Sequence, residues 1–174
     1  MILLIGPSAV GKTEVGKKLK DFGYDKLVTY TTRKPRLNEL DGRDYHFITL
    51  EKFRELNKNN FFLETVNYAN NFYGTALIDL ADNKFAIVEP LGLSNYKKNK
   101  ISVVAFFLQA QKETRRKRME LRGDLMPDIE KRLEIDDSYF NSDIKRMCDF
   151  VIDVDNASID DVAKKIDYLY KSIR

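Results

Sequence analysis

Gly6-Pro7-Ser8-Ala9-Val10-Gly11-Lys12-Thr13 follows an apolar run at residues 1–5 and leads into a stretch where Val15, Leu19 and Phe22 recur at i, i+4 and i+7. The octet satisfies G-x-x-x-x-G-K-[ST], and a strand before it with a helix after it is the setting in which that pattern holds phosphate. Glycines let backbone N–H groups turn inward around phosphate oxygens, and the helix N-terminus adds the positive end of its dipole. Lys12 is placed to reach β- and γ-phosphates, and the Thr13 hydroxyl to ligate Mg²⁺. Gly6, Pro7, Ser8, Ala9, Val10, Gly11, Lys12 and Thr13 are therefore expected to cradle a nucleoside triphosphate.

Outward from this loop, the residues at 84–88 and 101–108 read as further buried strands, and 148–154 as a fourth. Near-continuous apolar runs suit a parallel sheet covered on both faces. Helical periodicity fills the gaps. Leu50, Phe53 and Leu56 recur behind a Thr49 cap, and Ile159, Val162, Ala163, Ile166, Leu169, Tyr170 and Ile173 share one face behind Ser158 and Asp161. Strands alternating with helices predict an α/β fold with a central parallel sheet.

Composition narrows the classes of function. With 174 residues, a single domain is the expectation. Thirty Lys+Arg against 27 Asp+Glu leave a formal charge of +3, too mild to predict a nucleic-acid partner. The lone Cys148 excludes an intrachain disulfide, and the lone His46 excludes a His–His metal pair. Cys148 is read as packing and His46 as an ordinary strand residue. The longest apolar stretch, 101–108, falls far short of the roughly 20 residues a membrane helix needs. No membrane partner and a cytoplasmic location are the expectations.

Two segments break the α/β pattern. Residues 31–71 are rich in charge and aromatics, with strand-like pieces at 44–48 and 61–66 around a short helix. Here Arg33 and Arg36 flank Pro35, and guanidinium forks match phosphate oxygens bidentately. Tyr45 follows nine residues on and offers a hydroxyl to the same anion. Beyond it, Phe62-Leu63-Glu64 and Phe72-Tyr73-Gly74-Thr75 bracket a short polar loop. The Glu64 carboxylate suits the N1–H and N2–H₂ edge of guanine, with Thr75 adding a hydroxyl, because acidic side chains accept from base amino groups. Tyr73 is placed to reach the phosphate. The second segment, 115–137, is densely charged, and Pro127 is expected to interrupt it.

These blocks, in this order, resemble guanylate kinase. GPSAVGKT (6–13), TTRKPRLNELDGRDYHF (31–47), FLE…YGT (62–75) and RMELRG (118–123) follow the family's phosphate loop, TTRxPRxxExxGxDYxF, FxE…YG[ST] and RLxxRG patterns. The resemblance implies a P-loop nucleoside-monophosphate kinase fold: core 1–31, 77–119 and 139–174, a small β-rich GMP-binding insertion at 32–76, and a mobile lid at 120–138. It implies that Arg33, Arg36, Tyr45 and Tyr73 grip the GMP phosphate while Glu64 and Thr75 read guanine. It also implies that Arg118, Arg122 and Arg132 act with Lys12 on the ATP phosphates. Arg115 shares a helical face with Arg118 and Arg122 but has no strong counterpart and is assigned no role. Where the family carries Asp-x-Asp, this chain has Ile87-Val88-Glu89, leaving Glu89 to act near Mg²⁺ or the base. The expected reaction is MgATP with GMP or dGMP giving ADP and GDP or dGDP. A catalytically silent binding module and a kinase with another nucleotide acceptor are the alternatives.

Overall fold

A computed structural model of the chain describes residues 1–35, 39–68 and 71–173. The opening apolar run forms β1 (Ile2–Ile5), buried throughout. Successive strand side chains point to opposite faces. Ile2 and Leu4 accordingly join Val15, Leu19, Val162 and Ile166 on one side, while Met1, Leu3 and Ile5 join Leu93, Tyr96 and Phe107 on the other. Burial on both faces is why the strand reads as unbroken hydrophobicity.

The chain continues through α1 (Lys12–Leu19), β2 (Asp25–Lys26), β3 (Tyr30–Thr31), β4 (His46–Phe47), α2 (Leu50–Lys58), β5 (Phe62–Tyr68) and β6 (Asn71–Ala76). It then runs through β7 (Lys84–Ile87), α3 (Pro90–Lys98), β8 (Val104–Gln109), α4 (Lys112–Leu121), α5 (Met126–Tyr139), α6 (Ser142–Met147), β9 (Phe150–Asp153) and α7 (Ile159–Ser172). Strands β2-β7-β1-β8-β9 make a five-stranded parallel sheet. Ile2 lies between Phe85 of β7 and Val104 of β8. The order reverses around β1, so its C-terminal end, where the phosphate loop begins, opens onto the crevice where α/β sheets bind ligands. A second sheet, β4-β3-β6-β5, stands apart from the first and is mostly antiparallel.

The caps expected from sequence are in place. The Thr49 hydroxyl accepts from the Lys52 N–H at 3.2 Å, and the Ser158 hydroxyl from the Asp161 N–H at 3.1 Å. Several elements differ from expectation. The strand expected at 44–48 shrinks to β4, because the Asp41 carboxylate takes the Phe47 N–H at 2.8 Å and Asp44 takes the Leu40 N–H at 2.9 Å. Such side-chain capture favours a turn over a ladder. Residues 72–75, read as the edge of a loop, lie within β6. Gly74 is needed there because a Cβ would fall 2.8 Å from the Phe62 ring. Pro127 does not interrupt a helix but sits in the first turn of α5, where its missing N–H costs nothing. The break comes earlier, at Gly123 (φ 87°). Cys148 is half-buried, its thiol donating to the Ile144 carbonyl at 3.3 Å, and burial pushes its pKa up to about 12. No helix among the described residues is long and apolar enough to cross a membrane.

Candidate active site

The phosphate loop is shaped by what lies beneath it. Gly6 has φ 147°, and a Cβ there would meet the Leu108 carbonyl oxygen at 2.2 Å, so the loop crosses the end of β8 as only glycine allows. Gly11, the residue ahead of α1, has φ 95°. Ala9 also takes a left-handed conformation, φ 62°, which an L side chain rarely adopts. It is held there by packing against Met119, Ile129 and Leu133 of the α4–α5 pair.

Lys12, in the first turn of α1, folds back so that its ammonium donates to the Gly6 carbonyl and, at 2.9 Å, to the Pro7 carbonyl. Burial lowers its pKa; the Glu89 and Asp136 carboxylates oppose that shift and Arg115 adds to it. Thr13 follows with its side chain exposed. Glu89 precedes α3 without capping it. Its side chain is exposed at the surface yet crowded by protein, and that desolvation raises its carboxyl; Lys12 opposes the rise and Asp136 adds to it. Lys12, Glu89 and Asp136 thus share one electrostatic neighbourhood.

Asp136 and Arg115 are the residues that sequence reasoning passed over. Asp136 of α5 accepts from the Ser8 N–H at 2.8 Å and the Ser8 hydroxyl at 3.3 Å. Arg115 of α4 donates to Asp136 at 3.3 Å and to Asp137 at 2.9 Å. Both members of the Arg115–Asp136 pair are buried, at 5 % and 7 % exposure. The phosphate loop is therefore clamped to α5 by a charge that α4 neutralises. Twenty-one residues separate the pair, and no local pattern relates residues on different helices.

The three arginines assigned to the ATP phosphates divide. Arg118 reaches the loop, donating to the Ala9 carbonyl at 3.3 Å and the Val154 carbonyl at 3.0 Å. Arg122 pairs with Asp124, and Arg132 lies 3.7 Å from the same carboxylate, both arginines being half exposed. Asp124 thus gathers the two arginines at the α4–α5 junction, on a segment that Gly123 lets turn.

The small sheet assembles a second polar cluster. Glu64 of β5 faces Thr75 of β6 in cross-strand register, and Val66 faces Tyr73. Tyr73 and Thr75 are two apart and so emerge on one face. The Thr75 hydroxyl donates to Glu64 Oε1 at 3.4 Å, and Asn95 Nδ2 of α3 donates to Glu64 Oε2 at 2.7 Å. Arg33 lies 5.4 Å from the Tyr45 ring centre, measured from its guanidinium carbon, and interacts with the Tyr73 hydroxyl. Tyr45 and Tyr73 meet edge to face at 6.0 Å. The guanidinium is held by Glu39, 2.9 Å from each carboxylate oxygen. Arg33, Tyr45 and Tyr73 therefore lie together in one cluster, while Arg36 lies outside the described residues. Asn95 was not anticipated; its only sequence signal was a polar residue on the buried-side turn of α3.

For Mg²⁺ the fit is one of chemistry. Among the described residues no three His, Cys, Asp or Glu side chains cluster to hold a metal. The exposed side chains of Thr13 and Glu89 carry hard oxygen donors of the kind Mg²⁺ takes alongside the phosphates of its nucleotide.

A family model described as guanylate kinase matches residues 1–172. A guanylate kinase from Prochlorococcus marinus (strain MIT 9312) is 31% identical over 175 residues, covering 95% of this chain and 94% of that protein. One from Onion yellows phytoplasma is 37% identical over 136 residues; the match takes in 71% of this chain but only 63% of the relative's length. Among solved structures, guanylate kinase from Anaplasma phagocytophilum superposes with a TM-score of 0.71 at 25% identity, over 99% of this chain and 85% of that one. A shikimate kinase from Acinetobacter baumannii shares the fold, with a TM-score of 0.56 at 15% identity.

Proposed function

The chain belongs to the guanylate kinase family, and from that membership we propose that it transfers the γ-phosphoryl group of ATP to GMP, or to dGMP, releasing ADP. The observation that carries the reading is the pairing of two separately built anion sites with a base reader. The phosphate loop holds Lys12 on α1, and the small sheet sets Arg33, Tyr45 and Tyr73 beside a Glu64–Thr75 pair. One site suits the donor's phosphates and the other a nucleoside monophosphate with a guanine edge.

In this reading a phosphate oxygen of GMP attacks the γ-phosphorus in line as the bond from that phosphorus to the bridging oxygen breaks, leaving ADP. Little covalent chemistry is asked of the protein, so catalysis is positioning plus neutralisation of charge on the transferred group. The backbone N–H groups of residues 6–13 hold the donor phosphates, with Lys12 at the β- and γ-oxygens. Arg118 reaches the loop from α4, and Arg122 and Arg132 move from Asp124 to phosphate when the lid, residues 120–138, closes. Closure excludes water and so protects ATP from hydrolysis. Thr13, with Glu89 nearby, would hold Mg²⁺, which would supply further positive charge at the phosphates. In the insertion, residues 32–76, Arg33, Arg36, Tyr45 and Tyr73 grip the acceptor phosphate while Glu64 and Thr75 take the guanine edge.

The test is ADP release with MgATP against GMP, dGMP, AMP, UMP and CMP in parallel. Turnover with GMP and dGMP alone is expected. Binding of ATP and GMP without turnover would make this a binding module, and preference for another acceptor would refute the guanine reading. Arg33→Ala is expected to raise KM for GMP about tenfold or more, as a hydrogen bond to a charged partner is worth ~1.5–3 kcal/mol. KM for ATP should stay unchanged, because Arg33 follows β3 and sits with Tyr45 and Tyr73 rather than at the phosphate loop; equal shifts in both constants would contradict the assignment.

A further inference from the structure

Glu64 must present both carboxylate oxygens to one base edge if it is to accept from N1–H and N2–H₂ together. A carboxylate on a strand rotates about its terminal bond, so something must fix its plane. The structure supplies the fixing from behind. Thr75 donates to Oε1 from the neighbouring strand, and Asn95 donates to Oε2 from α3, the latter at 2.7 Å. Each oxygen keeps a lone pair for a ligand.

Helix α3 is shaped to deliver that contact. Gly92, one turn ahead of Asn95, is buried, and a Cβ there would stand 3.7 Å from Glu64 Oε1 and 3.2 Å from the Val88 Cβ. Positions i, i+3 and i+4 share a helix face, which puts Gly92, Asn95 and Tyr96 on the side toward β5. Tyr96 is fully buried, and its hydroxyl lies against Thr75. The closeness that glycine permits brings the Asn95 amide within bonding distance of the carboxylate. Of the two hydrogen-bond donors to this acid, Thr75 comes from the small sheet and Asn95 from α3, which packs on the central sheet.

We infer that Asn95 is a positioning residue for guanine recognition, fixing the plane of Glu64 so that one carboxylate reads two base protons; the inference rests on the guanine reading of this site. A site built to hydrogen-bond a substrate amine discriminates strongly against an analogue without it. IMP is that analogue: it keeps the N1–H and lacks the 2-amino group. Freeing Glu64 to rotate should cost GMP more than IMP, since IMP needs only one oxygen in place.

The experiment compares Asn95→Ala, Asn95→Gln and Asn95→Asp with the parent, measuring kcat and KM for GMP, IMP and ATP together with thermal melting. Asn95→Ala is expected to raise KM for GMP about tenfold, the loss of one hydrogen bond to a charged group. It should lower the GMP-to-IMP ratio of kcat/KM at least about threefold, with kcat and KM for ATP unchanged. Melting should hold, because alanine is the best helix former and the Asn95 backbone carbonyl keeps its bond from Asn99. Asn95→Gln retains an amide donor and should recover part of the selectivity, whereas Asn95→Asp sets a second carboxylate against Glu64 and should be worse than alanine. Unchanged GMP constants in Asn95→Ala, or a loss that falls equally on GMP, IMP and ATP, overturns the inference. Failure of the parent reading shows separately, as a parent enzyme that does not use GMP.

Discussion

Lys12→Ala is expected to lower kcat by about two to three orders of magnitude, the range found when a preorganised group at the developing charge is removed. The ammonium sits where the loop closes, bonded to the Gly6 and Pro7 carbonyls. Those bonds hold the cation at the loop. A phosphate oxygen is a stronger acceptor than a neutral carbonyl, so the side chain has a reason to swing toward ATP. Arginine is a poor substitute at this position, because a planar fork cannot reproduce a point charge turned onto two adjacent carbonyls. The shift in Lys12 also has a consequence for pH. Burial lowers its pKa, so the proton, and turnover with it, should be lost at a lower alkaline pH than for an exposed lysine. Steady-state ADP release by Lys12→Ala and by the uncharged isostere Lys12→Met, with melting curves to show that both fold, decides the matter. Near-parental turnover in either would remove Lys12 from the mechanism.

What could be read in the sequence was local or periodic. The phosphate loop, the buried strands β1, β7 and β8, and the amphipathic α7 all announce themselves by pattern, and each lies close to where the pattern put it, although β8 begins at Val104 rather than at residue 101. The short strands β2 and β3 carry no such signal, because two residues cannot show a period of two. Strand β6 was obscured by Gly74, which reads as a turn until Phe62 is seen filling the space a Cβ would need. The site divides along the same line. Arg33, Tyr45, Tyr73, Glu64 and Thr75 lie in segments of recognisable pattern. Asn95 and the Arg115–Asp136 pair derive their meaning from partners on other elements, which no single stretch of sequence brings together. Asp124 belongs with them: it collects Arg122 and Arg132 across a turn that the sequence shows only as a glycine.

Arg115→Ala is expected to destabilise the protein by about 3–5 kcal/mol, the usual cost of stranding one member of a buried ion pair. For a chain of this size each kcal/mol moves the melting temperature by about 2–4 °C, so a fall of about 6–20 °C is the corresponding observation. The cost has a specific origin. Without Arg115, the Asp136 carboxylate stays buried against the phosphate loop with Ser8 as its remaining hydrogen-bond donor. The pair itself is not expected to be a large source of stability, since Arg115 also buries an Nε–H that makes no hydrogen bond in the structure, and such a donor carries its full desolvation penalty. Replacing both residues, as Arg115→Met with Asp136→Ala, should therefore recover most of what the single change loses, because apolar substitutes for a buried pair are often neutral or stabilising. Thermal melting of Arg115→Met, of Asp136→Ala and of the double variant measures the coupling directly. If Arg115→Ala melts with the parent, the guanidinium is not neutralising a buried charge. If the double variant melts no higher than the singles, the charges are not acting on one another, and the clamp between the phosphate loop and α5 must draw its stability from packing alone.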